Sequence, residues 1–334
     1  MVIARRAHRS YRQQACSPSA RRISEEIPVS STPTRRRFLT VILCAASLSG
    51  PSFPSLLCAQ IDSEKPVGKH FDHVVIVMME NEGTDDALAD PYISSLTERG
   101  AWFSNYRAIT HPSFPNYLAI VAGTTFGWTS DHKPPPLKGA SIADRLEENN
   151  LTWKSYAENY PGGCYLGDGP GLGRVTPTAT PTELYVRKHV PLLAFASIQD
   201  NPGRCARVVG ASQFMRDARA GKLPNFSFYT PNVFNNGHDT SLEASSAWLR
   251  GFIRGLEGTV AMHQRTLVVI TWDEGGNRDN RVLALLLGDM VKPGKYSAHL
   301  THYSLLRTIE DNFGLRTVGA GDGNASPFSE NVWR

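Results

Sequence analysis

Apolar runs alternate with amphipathic stretches from Phe71 onward, which is the arrangement typical of an α/β fold. The three strongest runs are continuous, so they predict strands of a parallel sheet that are buried on both faces: 73–79, 266–272 and 282–287. Weaker runs predict strands at 152–156 and 226–229. Helices are predicted near 115–122, 139–150, 242–262 and 302–313. The stretch 160–181 is rich in Gly, Pro and Thr, which indicates a long loop.

The first 59 residues differ in character from the rest of the chain. Their nine arginines and two glutamates give a charge of +7, so the remaining residues carry −3 of the net charge of +4. That mildly acidic remainder lacks the basic surface expected of a nucleic-acid-binding protein. Because it also contains no linker or internal repeat, it predicts a single domain over 60–334.

The basic head fits an export signal. Residues 34–40 read Thr-Arg-Arg-Arg-Phe-Leu-Thr and precede the apolar run 41–48, which is the pattern of a twin-arginine leader. The run is too short to span a bilayer as a stable helix. The sequence therefore predicts a leader over 1–59 and a periplasmic or secreted product without a stable membrane anchor. A disordered basic tail is the alternative, but such a tail requires no apolar run directly after its arginines.

Two of the five cysteines, Cys164 and Cys205, lie beyond the predicted leader. In an oxidising compartment, two cysteines favour one disulfide, which here would close a loop of 41 residues. Two buried free thiols are the alternative.

Polar side chains follow three of the predicted strands. They are Glu80 and Asn81, then Asn232 with His238 and Asp239, and finally Asp273 and Glu274. Because the carboxyl ends of parallel strands open on the same edge of a sheet, we expect these groups to converge there. Each set alone is equally well explained as a solvated strand end or a helix cap. Together they offer the carboxylate, amide and imidazole ligands that suit a divalent cation.

The segment His111-Pro112-Ser113-Phe114-Pro115-Asn116-Tyr117 carries a second signal. Proline is tolerated only in the first turn of a helix, so Pro115 predicts that Ser113 lies at a helix N-terminus. Free N–H groups and the helix dipole favour an alkoxide and an incoming phosphate there, and a nearby cation would lower the pKa of the hydroxyl. A simple helix-capping role for Ser113 is the alternative.

Taken together, these segments resemble the phosphoesterase family of bacterial and fungal acid phosphatases and phospholipase-C-type enzymes. The resemblance is carried in order by 79–81, 111–117, 231–232, 238–239, 271–274 and 301–306. Within the family, it is strongest to secreted bacterial acid phosphatases that also act on phosphatidylinositol 3-phosphate. It implies the alkaline phosphatase superfamily and its fold, a three-layer α/β/α sandwich with a mostly parallel central sheet and a site at the strand ends.

The resemblance also implies roles for individual residues. Ser113 would be the nucleophile, and His238, oriented by Asp239, would be either an acid or a ligand that faces the leaving group. The implied ligands of one or more divalent metal ions are Glu80, Asn81, Asp273 and Glu274, although some relatives carry two aspartates at the last two positions. The implied phosphate-binding residues are Asn116, Lys188, His189, Asn232 and His302. Cys164 and Cys205 fall where relatives carry a paired cysteine.

The expected activity is hydrolysis of phosphate monoesters through a phosphoserine on Ser113. The expected substrate is a small phosphorylated compound or a phosphoinositide headgroup. A phospholipase-C-type phosphodiesterase would use the same site, but such enzymes often carry large C-terminal extensions, for which 334 residues leave little room. A non-catalytic exported metal-binding protein is the third alternative. It is disfavoured because a decayed enzyme tends to lose its nucleophile first.

Overall fold

The core of the protein is an eight-stranded sheet that lies between two groups of helices. The computed structural model describes residues 67–167, 183–276 and 278–334. The strands are β1 (His73–Met79), β2 (Ala101–Phe103), β3 (Tyr106–Arg107), β4 (Trp153–Ala157), β5 (Val208–Gly210), β6 (Phe226–Thr230), β7 (Thr266–Trp272), β8 (Ala284–Leu287), β9 (Gly294–Tyr296) and β10 (Leu300–Thr301).

The helices lie between these strands and after them along the chain. They are α1 (Thr84–Ala89), α2 (Pro91–Leu96), α3 (Ser113–Ala122), α4 (Ile142–Glu148), α5 (Ala196–Gln199), α6 (Pro202–Cys205), α7 (Ser212–Arg219), α8 (Leu242–Glu257), α9 (His302–Phe313) and α10 (Ala320–Gly323). Short 3-10 turns cover Arg187–His189, Pro191–Ala194, Val260–His263 and Glu330–Val332. None of the helices in the described part of the chain is long and apolar enough to cross a membrane.

The sheet has the order β5-β4-β6-β1-β7-β8-β2-β9. Its first five strands run parallel, whereas β8 is antiparallel to both of its neighbours and β9 is parallel to β2. A separate parallel pair joins β3 to β10. The predicted α/β fold with a mostly parallel central sheet is thus confirmed.

The central strands lie in the middle of the sheet because their sequences are continuously apolar. Every residue of β7, and every residue of β1 after His73, is buried, because helices cover both faces of the sheet. Helices α3, α4, α9 and α10 pack among themselves, and α1, α2, α7 and α8 form the second group. The register pairs Met79 of β1 with Trp272 of β7, so both strands end at the same level.

The predicted bounds of β1, β7 and α9 agree with the structure. The segment 242–262, predicted as one helix, is instead α8 followed by a separate 3-10 turn at Val260–His263. Strands of two or three residues were not predicted, because so short a stretch shows no periodicity. The predicted leader 1–59 and most of the predicted loop 160–181 lie outside the described residues.

Cys164 and Cys205 form the disulfide that the sequence favours, with their Cα atoms 5.5 Å apart. They are separated by 41 residues. In the chain-entropy account, closing a loop of that length stabilises the folded state by roughly 4 kcal/mol. The bridge joins the start of the long loop to the end of α6.

Two buried carboxyl groups meet where α9 packs against α10. Glu310 and Asp322 are both fully buried, and the backbone N–H of Val318 donates to an oxygen of each, at 2.9 and 2.7 Å. Burial and the neighbouring Asp322 raise the pKa of Glu310 to about 9, although Val318 and Arg307 oppose the shift. Glu310 is therefore protonated in the folded protein at neutral pH.

Because Glu310 is protonated in the folded protein, we expect the folded state to lose stability as the pH becomes alkaline. The pKa of Glu310 is higher in the folded than in the unfolded chain, so its stabilising contribution is complete below about pH 4.5 and is lost as the pH rises through about 9. In Glu310→Gln, which mimics the protonated form, the melting temperature should decline less between pH 6 and 9 than in the wild type. Thermal melts at matched ionic strength measure both slopes, and parallel slopes would contradict the assignment.

Candidate active site

Ser113 is the first residue of α3, as the sequence predicts, and is buried. The preceding loop is fixed by Asn116, whose Oδ1 accepts from the backbone N–H groups of Ile109 and Thr110 at 2.8 and 3.1 Å. Its Nδ2 donates to the carbonyl oxygens of Thr110 and Pro112 at 2.8 and 3.3 Å. Asn116 therefore positions the nucleophile segment. Both hydrogens of its amide are used within this loop, and its predicted role as a phosphate donor stays a prediction.

Carboxyl groups from two neighbouring strand ends surround the Ser113 hydroxyl. Its Oγ lies 3.4 Å from Glu80 Oε2, directly after β1, and 3.3 Å from Glu274 Oε1, just after β7. Asp273 follows β7 directly, and its Oδ1 accepts from the backbone N–H of Asn81 at 3.2 Å. Two of the sequence-predicted ligand residues, Glu80 and Glu274, thus meet at Ser113, and the other two, Asn81 and Asp273, are joined beside them.

Burial and mutual repulsion raise the pKa values of two of these carboxyl groups. Glu80 and Asp273 are fully buried. Burial, followed by repulsion from Asp273, raises the pKa of Glu80 well above its ordinary value. Burial and the neighbouring Glu274 raise the pKa of Asp273 to about 7. An added positive charge at this point would stabilise the ionised forms.

Two further side chains lie against Glu80: Tyr117, which the sequence analysis did not assign, and His189, which it assigned to phosphate. The hydroxyl of Tyr117 donates to Glu80 Oε1, and the Tyr117 ring stacks on His189 with centroids 5.0 Å apart. His189 Nε2 lies 3.1 Å from the same Glu80 oxygen but without hydrogen-bond geometry. Burial, followed by the charge of Lys188, lowers the pKa of His189 well below its ordinary value. His189 is therefore a neutral ring behind Glu80. The spacing of Tyr117 from Ser113, one helical turn, was the available signal for its role.

Lys188 reaches the N-terminus of α3 through a partner that the sequence analysis missed. Its buried Nζ donates to Asp131 Oδ2 at 2.6 Å, and Asp131 Oδ1 accepts from the backbone N–H of Phe114 at 3.0 Å. Burial lowers the pKa of Lys188, but Glu80 and Asp131 outweigh that effect, so the net pKa is raised and the ammonium is retained. Asp131 belongs to an irregular segment between α3 and α4 and follows no predicted strand, so no sequence signal pointed to it.

His238 and Asp239 lie on the loop after β6. His238 Nδ1 is 2.6 Å from Asp239 Oδ1, and the ring centroid of His238 is 6.2 Å from that of His189. The backbone of this loop is tied to the site, because the N–H of Glu80 donates to the carbonyl oxygen of Asn236 at 3.0 Å. The structure therefore places the predicted acid pair next to the carboxyl cluster.

Asn232 stabilises this loop. Its Oδ1 accepts from the N–H groups of Phe234 and Asn235, and its Nδ2 donates to Asn159 Oδ1 at 2.7 Å. The carboxylate of Glu158 accepts from the backbone N–H of Asn232 and from Asn235 Nδ2, at 3.0 and 2.6 Å. The predicted phosphate-binding role of Asn232 stays a prediction. Glu158 follows β4 directly, just as Glu80 follows β1, but the sequence analysis did not single it out.

His302 is also a supporting residue. It is fully buried, its Nε2 lies 2.7 Å from the carbonyl oxygen of Asp273, and its Nδ1 lies 3.0 Å from the hydroxyl of Tyr106. Burial lowers the pKa of His302 to about 4, so the ring is neutral. Both ring nitrogens have partners inside the protein, and the predicted contact of His302 with phosphate stays a prediction. His302 holds the end of β7.

The donors around Ser113 fit a divalent cation. Among the described residues, no group of three or more His, Cys, Asp or Glu side chains is already arranged around one point as a metal site. Asp273 Oδ2 is nevertheless buried without a hydrogen-bond partner, although buried carboxylate oxygens are normally paired. A cation held by oxygen ligands would satisfy this atom, and hard divalent ions prefer such ligands.

Comparison with known proteins agrees with this site. The model of the phosphoesterase family matches residues 86–316. An acid phosphatase from Aspergillus fumigatus is 32% identical over 303 residues, which cover 86% of this chain and 67% of that protein. A probable acid phosphatase from Kluyveromyces lactis is 35% identical, and the alignment covers 78% of this chain but only 62% of that relative. A phosphatidylinositol-3-phosphatase from Mycobacterium tuberculosis is 32% identical, covering 89% of this chain and 96% of that protein.

The fold is likewise shared with solved structures. A protein of the alkaline phosphatase superfamily from Vibrio parahaemolyticus superposes with a TM-score of 0.51 over 78% of this chain and 71% of its own. At 12% identity, that similarity establishes the fold alone. The sequence matches establish more, and by them the chain belongs to the phosphoesterase family of hydrolases.

Proposed function

We propose that the protein is an exported, metal-dependent phosphomonoesterase of the acid phosphatase type, with Ser113 as its covalent nucleophile. The observation that carries the proposal is the place of the Ser113 hydroxyl, at the N-terminus of α3 and within 3.4 Å of carboxyl oxygens from two strand ends. A helix N-terminus favours phosphate, and carboxyl groups beside it require a cation before a dianion can approach.

Glu80, Asn81, Asp273 and Glu274 are the residues that would hold the cation. When bound, a divalent cation lowers the pKa of a coordinated hydroxyl and neutralises phosphate charge. Tyr117 and His302 support this set from behind, since they bind the Glu80 carboxyl and the Asp273 backbone.

The chemistry proceeds in two steps at Ser113. Its Oγ, which has lost its proton to solvent, attacks phosphorus while the bond from phosphorus to the alcohol oxygen breaks, and the alcohol takes a proton from His238. Asp239 fixes the ring through Nδ1, so Nε2 is the nitrogen that carries this proton. His238 then removes a proton from water, which attacks the phosphoserine. The bond from phosphorus to Ser113 Oγ breaks, so inorganic phosphate leaves and Ser113 returns to its deprotonated form.

The relatives suggest the substrate class. They are named acid phosphatases and, in one case, a phosphatidylinositol-3-phosphatase, so we propose a small phosphate monoester or a phosphoinositide headgroup as the substrate. Turnover of p-nitrophenyl phosphate and of a phosphoinositide, compared with that of bis-p-nitrophenyl phosphate, separates this proposal from a phospholipase-C-type phosphodiesterase.

Ser113→Ala should lower kcat on p-nitrophenyl phosphate by several orders of magnitude, because a covalent nucleophile is lost. The matched control is Ser141→Ala, which removes the capping serine of α4, whose hydroxyl pairs with Asp144 and not with the carboxyl groups around Ser113. If Ser113 only capped a helix, the two variants would behave alike. More than about a tenth of the wild-type kcat in Ser113→Ala would remove Ser113 from the nucleophile role.

Removal of the cation should abolish turnover, because the carboxyl groups around Ser113 would then repel a phosphate dianion. Asp273→Asn, which takes away a carboxylate ligand, should lower the bound metal content and the activity together. Elemental analysis of the dialysed protein and assays with and without chelator measure both quantities. Full activity in protein shown to be free of metal would exclude this mechanism.

We further propose that the protein is exported by its twin-arginine leader, on the strength of residues 34–48. The disulfide supports this placement, because such bonds persist in oxidising compartments. Arg35→Lys combined with Arg36→Lys should retain the protein inside the cell, whereas the wild type should appear outside with a mass that begins near Gln60. Intact mass spectrometry of both fractions tests this, and an exported product that still begins at Met1 would count against it.

A further inference from the structure

The Asp131 carboxylate accepts hydrogen bonds from two donors beside the nucleophile. One of its oxygens accepts from the N–H of Phe114, the amide that directly follows Ser113, and the other accepts from Lys188 Nζ. Both donors are of the kind that binds phosphate oxygens, a helix N-terminal amide and a buried ammonium. A single carboxylate thus bridges the two groups that an attacked phosphoryl group would need.

The two donors are fixed by the fold, whereas the acceptor is not. Lys188 is buried on the 3-10 turn that also carries His189, and Phe114 is buried in the first turn of α3. Asp131 lies on an irregular surface segment, and its side chain is 38% exposed. The carboxylate can therefore leave without disturbing helix or sheet, while the donors stay in place.

Electrostatic repulsion requires the Asp131 carboxylate to move away before a phosphate monoester can bind. A phosphate monoester brings up to two negative charges to a region that already contains Glu80, Asp273 and Glu274. An anion beside Asp131 would be repelled and would find both donors occupied. Once Asp131 swings into solvent, the same donors become available to phosphate oxygens.

We propose that Asp131 is an internal stand-in for substrate phosphate, which holds the Phe114 amide and Lys188 in the free enzyme and is displaced when substrate binds. The inference rests on the proposed function, since it takes Ser113 to be the group that meets phosphorus. It makes Asp131 a determinant of affinity. The apparent dissociation constant of a ligand rises in proportion as the binding-competent state becomes rarer.

The test is the affinity of inorganic phosphate for the metal-loaded protein, by titration calorimetry and as a competitive inhibitor of p-nitrophenyl phosphate hydrolysis. In Asp131→Asn and Asp131→Ala, the dissociation constant, the inhibition constant and KM should all fall about tenfold, as expected if the occupied state outnumbers the open one by that factor. Unchanged or weaker phosphate binding in both variants would overturn the proposal and leave Asp131 a structural partner of α3.

Asp311→Asn is the matched control for loss of one negative charge. Asp311 is 41% exposed and pairs with Arg307 at 2.7 Å on α9, so it resembles Asp131 in exposure and pairing but has no contact with the Ser113 segment. Its phosphate affinity should equal that of the wild type. A gain as large as that of Asp131→Asn would assign the effect to overall charge and would also overturn the proposal.

A crystal structure of the wild type with inorganic phosphate covers the case in which the Asp131 variants fail to fold. A phosphate oxygen on the Phe114 amide, with Asp131 turned away, is the expected result. Phosphate bound while Asp131 keeps both contacts would contradict the inference. Because phosphate binding needs no turnover, these outcomes can be read even if Ser113→Ala shows that the proposed mechanism is wrong.

Discussion

The parallel pairing of β1 with β7 is the constraint on which the site depends. Its register sets Met79 opposite Trp272, so that Glu80 and Asp273 emerge side by side at the end of a fully buried double strand. Two adjacent carboxyl groups in such a place are costly, because burial disfavours their charge and each opposes the ionisation of the other. The buried sheet that stabilises the fold therefore also places two carboxyl groups at its edge whose negative charges need compensation. A divalent cation would compensate those charges and would also attract a phosphate ester.

The groups packed behind this pair are neutral, and their neutrality follows from the same burial. His302 and His189 are both enclosed, and both have pKa values shifted downward, so neither contributes a positive charge. His302 instead fixes the Asp273 backbone, while Tyr117 donates to Glu80. Polar groups without charge can hold a carboxyl group in position without neutralising it. The cation that we propose would therefore be the main positive charge at the cluster, with Lys188 at its margin.

The sequence predicted those parts of the protein that depend on local pattern. The apolar runs of β1 and β7 are long and continuous, and the rule that ligands gather at the carboxyl ends of parallel strands placed Glu80 and Asp273 together correctly. That Ser113 joins them was implied by the family resemblance. Individual side-chain roles proved harder, because they depend on contacts between distant segments. Asn116 and His302 sit in family-like motifs and at the predicted place, yet their polar atoms are used within the protein. Residue type and position indicate that a group is near a site, but only its partners show what remains available to a ligand.

Asp131 is the clearest instance of information that no local pattern holds. Its partners, Phe114 and Lys188, lie 17 and 57 residues away, and its own segment has neither helix nor strand. The contact nevertheless follows from the charges already at the rim. A helix N-terminus and a buried ammonium attract an anion whether or not substrate is present, since unpaired buried donors are unfavourable. In the free protein, the partly exposed carboxylate of Asp131 satisfies them. The features that prepare this edge of the sheet for phosphate therefore also select an internal competitor for it.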